Sequence, residues 1–152
     1  MIAGVDAKFS EAREQHPEFK GKEAVVVDAG SGEVFAFTSG DPRGQFLSEL
    51  GFTNPPAIDK ASKDGFGASI SNERLDLIDV DRVFLLSDKD NRQKILGKPE
   101  FRELDVYKRG DVVELPYYDL PQYGAAVAFN SVLSIPYAID GTLKQIAAAE
   151  RR

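Results

Sequence analysis

Apolar positions change period along the chain, and each change marks an element. Val5 to Gln15 places Val5, Phe9 and Ala12 on one weak helical stripe, and Pro17 disfavours helix at His16, so a first helix ends there. Glu23 to Asp28 carries the β-branched run Val25-Val26-Val27, the pattern of a short buried strand. Gly30-Ser31-Gly32 is a turn signal. Glu33 to Thr38 alternates, with Val34 and Ala36 against Phe35 and Phe37, which predicts a second strand and allows a hairpin with the first.

Asp41-Pro42 starts a helix, with Asp as N-cap and Pro in the first turn, and Phe46, Leu47 and Leu50 give its apolar stripe. Gly51 stands where a C-terminal glycine belongs. Thr53 to Ala57 reads as irregular and Lys60 to Gly67 as a polar loop that exposes Phe66. Ser71 is expected to cap a helix to about Asp79, with Leu75 and Ile78 inward, and Val83 to Leu86 is a short apolar strand. A polar helix from Ser87 or Asp88 runs to near Gly97, and a short one covers Pro99 to Leu104. Gly110 to Leu115 is a turn into a strand. Helices over Pro121 to Asn130 and Leu133 to Ala149 complete the chain. Strands alternating with helices predict a three-layer α/β/α unit, Rossmann-like, with a mainly parallel central sheet.

Size and composition narrow this without changing it. The 152 residues make one domain, able to bury roughly 70% of its unfolded surface. A net charge of -6 argues against bulk attraction to nucleic acid or an anionic membrane, yet leaves room for a local basic pocket. With no Cys, disulfides, thiol catalysis and cysteine metal sites are excluded, and a single His leaves no histidine cluster. The first residues, MIAGVDAKFSEARE, lack the basic start and apolar core of a signal peptide, and no apolar stretch approaches the ~20 residues that span a bilayer.

Several motifs of enzyme chemistry fail. Gly30-Ser31-Gly32 is not a dinucleotide fingerprint, because Phe35 holds the third glycine position and a strand follows it. No phosphate-loop lysine pattern exists. Asp76, Asp79 and Asp81 lack the glycine and terminal Glu of a calcium loop, and no serine sits in a nucleophile elbow.

The order of five segments carries a resemblance. HPEFKGKEAVVV, VFAF with GDPRGQFLSELGF, ISNERLDLIDVDRVFLL, FRELDVYKRGDVVELP and AFNSVLSIPYAIDGTL together resemble, over nearly the whole chain, the C-terminal lobe of iron–siderophore substrate-binding proteins of ABC importers. The resemblance implies one domain over residues 1–152, with residues 4–16 as the end of an interlobe helix. It implies a non-enzymatic, cofactor-free clamp in which iron enters only as a ferric siderophore. The implied partners are an ABC permease and an N-terminal lobe, and the implied location is extracytoplasmic and cell-envelope associated. The family's N-terminal lobe, signal peptide and lipidated Cys are not in this sequence. A structural module without its own ligand binding, self-association across an open cleft face, and a small α/β hydrolase or nucleotide-using enzyme stand as the other readings.

Candidate residues follow from the residues and the resemblance together. Phe35 and Phe37 share one strand face, which is core on its own terms and cleft-lining by resemblance, and Phe37, nearest the loop at Ser39-Gly40, is the better candidate of the two to meet a ligand. Arg43 lies in a helix's first turn, where the dipole disfavours a cation. It is either a salt bridge to Asp41 or a clamp for an anionic chelate. Lys60, Lys63, Phe66 and Ser69 belong to a loop that either covers a ligand or is merely solvated. Tyr117, Tyr118 and Tyr123 follow the last strand, at a position suited to a cleft. Glu73 is by local physics a first-turn acid stabilised by the dipole. By resemblance it is the carboxylate that docks on permease arginines.

Overall fold

The structure, a computed structural model, describes residues 2–28, 33–87, 92–117, 122–129 and 134–150. Helix α1 (Ile2–Gln15) leads through a short 3-10 turn, Pro17–Phe19, into β1 (Ala24–Asp28) and β2 (Val34–Phe37). Then come α2 (Pro42–Leu50), α3 (Pro56–Ala61), β3 (Gly67–Ile70), a 3-10 segment Asn72–Ile78 and β4 (Arg82–Ser87). Three short helices, α4 (Arg92–Leu96), α5 (Pro99–Arg102) and α6 (Asp105–Lys108), precede β5 (Val112–Pro116), and α7 (Tyr123–Phe129) and α8 (Ile135–Glu150) close the chain.

The five strands form one sheet in the order β3-β2-β1-β4-β5. β1, β4 and β5 are parallel, in the register Val26↔Phe84↔Val113. β2 and β3 add to β1 as antiparallel neighbours, with Asp28↔Phe35 and Phe35↔Ser69 opposite one another. This is an α/β unit with a parallel core and an antiparallel flank. The three parallel strands end at Asp28, Ser87 and Pro116 on one edge of the sheet, where β2 begins and β3 ends.

Each face is covered, which is why the valine run is apolar without alternation. Ala24 and Val26 join the core under α1, α2, α7 and α8, and Val25 and Val27 join the core under α3 to α6 and the 3-10 segment. The expected stripe Val5, Phe9 and Ala12 is buried in the first of these. A chain of rings runs through that core. His16 stacks on Phe19 at 4.8 Å, Phe19 on Phe52 at 4.4 Å, and Phe52 meets Phe84 edge-on at 5.6 Å between centroids.

Three sequence expectations change. Pro56 starts a helix inside the stretch read as irregular, its fixed φ serving the first turn. Gly67 is not loop but the first residue of β3, a fifth strand hidden by its shortness and its glycine. The Ser71 segment winds as 3-10 rather than α. The Ser71 hydroxyl makes no cap, its carbonyl accepts from Arg74 N at 3.0 Å, and Arg74 leaves helical geometry at φ -120°. Leu75 and Ile78 are buried as expected, because a three-residue spacing suits a 3-10 turn equally well.

Candidate functional site

The best-formed constellation lies where β2 hands the chain to α2. Asp41, 5% exposed, caps the helix, and its Oδ1 accepts from Arg43 N at 2.9 Å. The same carboxylate accepts from Arg43 Nη1 through both oxygens, at 2.7 and 3.0 Å. One acid thus stabilises the helix start and holds the guanidinium that follows it. The guanidinium lies over the Phe37 ring, 4.1 Å from its centroid, in cation–π geometry. Phe37 meets Phe35 edge-on at 5.4 Å. Arg43 Nε is buried without a hydrogen-bond partner.

Two close approaches fix this group. Gly44 has no side chain because a Cβ there would stand 2.0 Å from the Thr38 carbonyl oxygen. Gly67 lies under Phe35, where a Cβ would meet the ring at 2.2 Å. Thr38 itself is buried and ties the neighbouring loop: its N–H donates to the Phe66 carbonyl at 3.0 Å and its hydroxyl to the Gly65 carbonyl at 2.7 Å. That pairing brings Phe66, 58% exposed, beside the aromatic strand.

The loop's shape rests on Asp64. Its Oδ1 accepts from Phe66 N at 2.8 Å, Gly67 N at 3.1 Å and the Ser62 hydroxyl at 3.2 Å. The Phe66 amide, then the Gly67 amide, hold the Asp64 carboxyl below the usual carboxylate range. A depressed folded-state pKa means the contribution is whole above the unfolded value of about 3.9 and is lost as pH falls through the lower folded value. Asp64→Ala is therefore expected to speed amide exchange at Phe66 and Gly67 at neutral pH and to leave the global unfolding midpoint nearly unchanged. In the parent protein the same two amides should loosen only in acid. Unchanged exchange in the variant would show that the loop is held by other contacts.

The sequence candidates thus divide. Phe35, Phe37 and Arg43 come together, with Phe66 adjoining. Phe37, the ring nearer the loop, is 7% exposed beneath Arg43, whereas Phe35 is half-buried and presents more of its ring. Lys60 lies on α3, and Lys63 and Ser69 are exposed, Ser69 opposite Phe35. Tyr117 and Tyr123 pack half-buried on the core beneath α1, α2, α7 and α8. Tyr117 follows β5, three interstrand spacings or about 14 Å from β2, so it shares the sheet face with Phe35 but not the patch. Tyr118 lies outside the described residues. Glu73 is exposed, in a shallow surface pocket with Glu33, Ser69, Ser71, Asn72 and Lys98 beyond the end of β3. Sequence reasoning missed Gly67 and Asp64, although a glycine inside a strand and a Ser-x-Asp-Gly run signal a close approach and a side-chain-stabilised turn. Among the described residues no group of three or more His, Asp or Glu side chains is placed to hold a metal ion. No helix among them is long and apolar enough to cross a membrane.

Residues 1–118 match the family model described as periplasmic binding protein. No curated protein matches the sequence. Among solved structures, the chain is similar to the iron uptake ABC transporter substrate-binding protein PiaA of Streptococcus pneumoniae TIGR4, at 27% identity and a TM-score of 0.76. PiaA in complex with ferrichrome gives a TM-score of 0.79 at the same identity, with 99% of this chain and 52% of that chain covered. A periplasmic solute-binding protein from Mycobacterium smegmatis (24% identity, TM-score 0.78) covers 97% of this chain and 49% of its own, and at that identity shows the fold alone. The chain spans about half the length of these relatives. The family's proteins bind solutes and are not enzymes, and they work outside the cytoplasm, so the hydrolase and nucleotide-enzyme readings fall away. On a match that covers more than three quarters of its residues, the chain belongs to the periplasmic binding protein family.

Proposed function

We propose that this chain is the C-terminal lobe of a substrate-binding protein that captures a ferric siderophore and delivers it to an ABC importer. The observation that carries the reading is the Phe35–Phe37–Arg43 group on a fold shared at 27% identity with a protein solved in complex with ferrichrome. Rings and a guanidinium suit a ferric chelate, whose surface is a mixture of apolar spacers and iron-bound oxygens. An N-terminal lobe completes the clamp, and the half-length coverage of the relatives supports that expectation. In this reading the protein supplies shape and charge, and no bond is made or broken. Glu73, exposed beyond β3, is the docking carboxylate for permease arginines, setting orientation more than affinity.

One experiment with two readouts tests this. Ferric hydroxamate, catecholate and carboxylate chelates are titrated while tyrosine emission is followed, the chain having 5 Tyr and no Trp. The titration is run on this chain alone and with an N-terminal lobe supplied. Binding is expected with both lobes, and Phe35→Ala is expected to weaken it at least about tenfold, a loss of some 1.4 kcal/mol. Glu73→Lys is expected to leave chelate binding unchanged and to abolish uptake through the permease. No response to any chelate with both lobes present would sink the reading.

A further inference from the structure

The two edges of the sheet are finished differently. At the β5 edge, Val83 N donates to the Asp111 carbonyl at 3.2 Å, so Val112 and Glu114 turn their main-chain groups away from β4. There the Glu114 carbonyl accepts from Gln145 Nε2 of α8 at 2.7 Å, and Pro116, the next residue of that parity, has no N–H to offer. Such an edge is blunted against further pairing. At the β3 edge the parity follows from Thr38 N, which donates to the Phe66 carbonyl at 3.0 Å, one step beyond the register pair Phe37↔Gly67. Gly67 and Ser69 therefore turn their main-chain groups away from β2. Ser71, extended at φ -71° and ψ 159°, continues the row.

Two groups of that row are already engaged. Gly67 N–H donates to Asp64 Oδ1 at 3.1 Å, and the Ser71 carbonyl accepts from Arg74 N at 3.0 Å. Left open among the described residues are the Gly67 carbonyl, both main-chain groups of Ser69 and the Ser71 N–H. We propose that this edge pairs antiparallel with the same edge of a second copy of the chain, about a twofold axis at Ser69. In that register the two Ser69 residues exchange both of their bonds, and each Ser71 N–H donates to the Gly67 carbonyl of the other copy. The bond that the ladder lacks would join Gly67 N–H to the Ser71 carbonyl, and each of those groups is satisfied within its own copy. A strand of other origin would set an acceptor opposite the engaged Gly67 N–H, or a donor opposite the engaged Ser71 carbonyl, and leave it without a bond. The edge is thus complementary to itself, as a closed two-copy interface requires. Ser69 is exposed, and facing its own copy it makes a small hydroxyl pair of the kind that stabilises neighbouring strands.

So short a ladder makes a weak, reversible dimer. Sedimentation of the chain up to about 1 mM is expected to show a monomer–dimer equilibrium with a Kd on the order of 0.3 mM. Over the same range, amide exchange at Ser69 and Ser71 is expected to slow about twofold or more as the dimer fills. Exchange at Phe66 and Gly67, whose amides Asp64 holds within each copy, is expected to stay constant. Ser69→Lys and Ser69→Glu each set like charges opposite one another across the axis, so each alone is expected to remain monomeric. An equimolar mixture of the two is expected to associate again. A chain that stays monomeric at about 1 mM would overturn the proposal, since pairing of this size belongs in that range. So would a dimer in which Ser69 and Ser71 exchange as fast as in dilute solution, folded charged variants that dimerise like the parent, or a mixture that stays monomeric. The exchange measurement on the unmodified chain decides the matter even if a variant does not fold. No chelate enters the test, so its failure leaves the siderophore reading standing.

Discussion

Replacing Phe84 with Ala is expected to cost about 3–5 kcal/mol of folding stability. Phe84 is fully buried in the central parallel strand β4, and the strands on both sides of it are paired along their length. Its ring is the last in the series that runs from His16 through Phe19 and Phe52, so its loss opens space beneath two elements at once. The hole cannot close by moving β4, because five register pairs tie that strand to β1 and five to β5. Against a total stability of about 5–15 kcal/mol for a single domain, the loss is a large fraction. In urea the midpoint should fall while the slope stays constant, since the surface exposed on unfolding is nearly the same. A loss below about 1 kcal/mol would mean that the core closes around the missing ring.

The fold was legible where a segment's local chemistry and its tertiary surroundings agree. The valine run announced a strand buried on both faces. Asp41, Pro42 and Gly51 announced both ends of α2, and each stands as expected: Asp41 accepts from Arg43 N, and Gly51 adopts the left-handed φ of 111°. β3 was not legible. Four residues, Gly67 to Ile70, are too few for a period to register, and the glycine that lowers strand propensity is there because Phe35 needs the space. The 3-10 winding after Ser71 was not legible either. Inward residues three apart fit both helix types, and the choice lay with Arg74 and the Ser71 carbonyl.

For the site, type was legible and arrangement was not. Alternation put Phe35 and Phe37 on one face, and the dipole argument marked Arg43 as a residue that helix stability does not ask for. Which of the two rings is the more open depends on where Arg43 lies. The guanidinium covers Phe37, so the half-buried Phe35 presents more of its ring. Of the two readings of Arg43, the salt bridge to Asp41 is the one observed, made through both carboxylate oxygens while the guanidinium lies over Phe37.

Gly44→Ala is the substitution expected to act on fold and site together. The added Cβ would stand 2.0 Å from the Thr38 carbonyl oxygen, 2.9 Å from its carbon and 3.1 Å from Asn54 Oδ1. The first two are backbone atoms of a buried residue whose own groups are engaged with Gly65, Phe66 and Asp41, so they cannot swing aside. The start of α2 must move instead. Alanine's better helix propensity returns at most about 1 kcal/mol, and forcing a well-packed contact apart costs typically 1–3 kcal/mol or more. The net expectation is a loss of about 2 kcal/mol in urea denaturation. Displacing the helix start also carries Arg43 away from Phe37 and strains the Asp41 cap, so the variant should lose chelate affinity in larger proportion than a distant mutation of equal stability cost. Asn54 donates to the Gly44 carbonyl at 3.0 Å and to the Ser48 hydroxyl at 2.9 Å, which gives an internal control. Asn54→Ala removes those two bonds without adding volume beneath Arg43, and should lower stability while sparing the affinity. A Gly44→Ala protein with unchanged stability would show that α2 and the Thr38 backbone can part to admit a methyl group, and the coupling between fold and site would lose its basis.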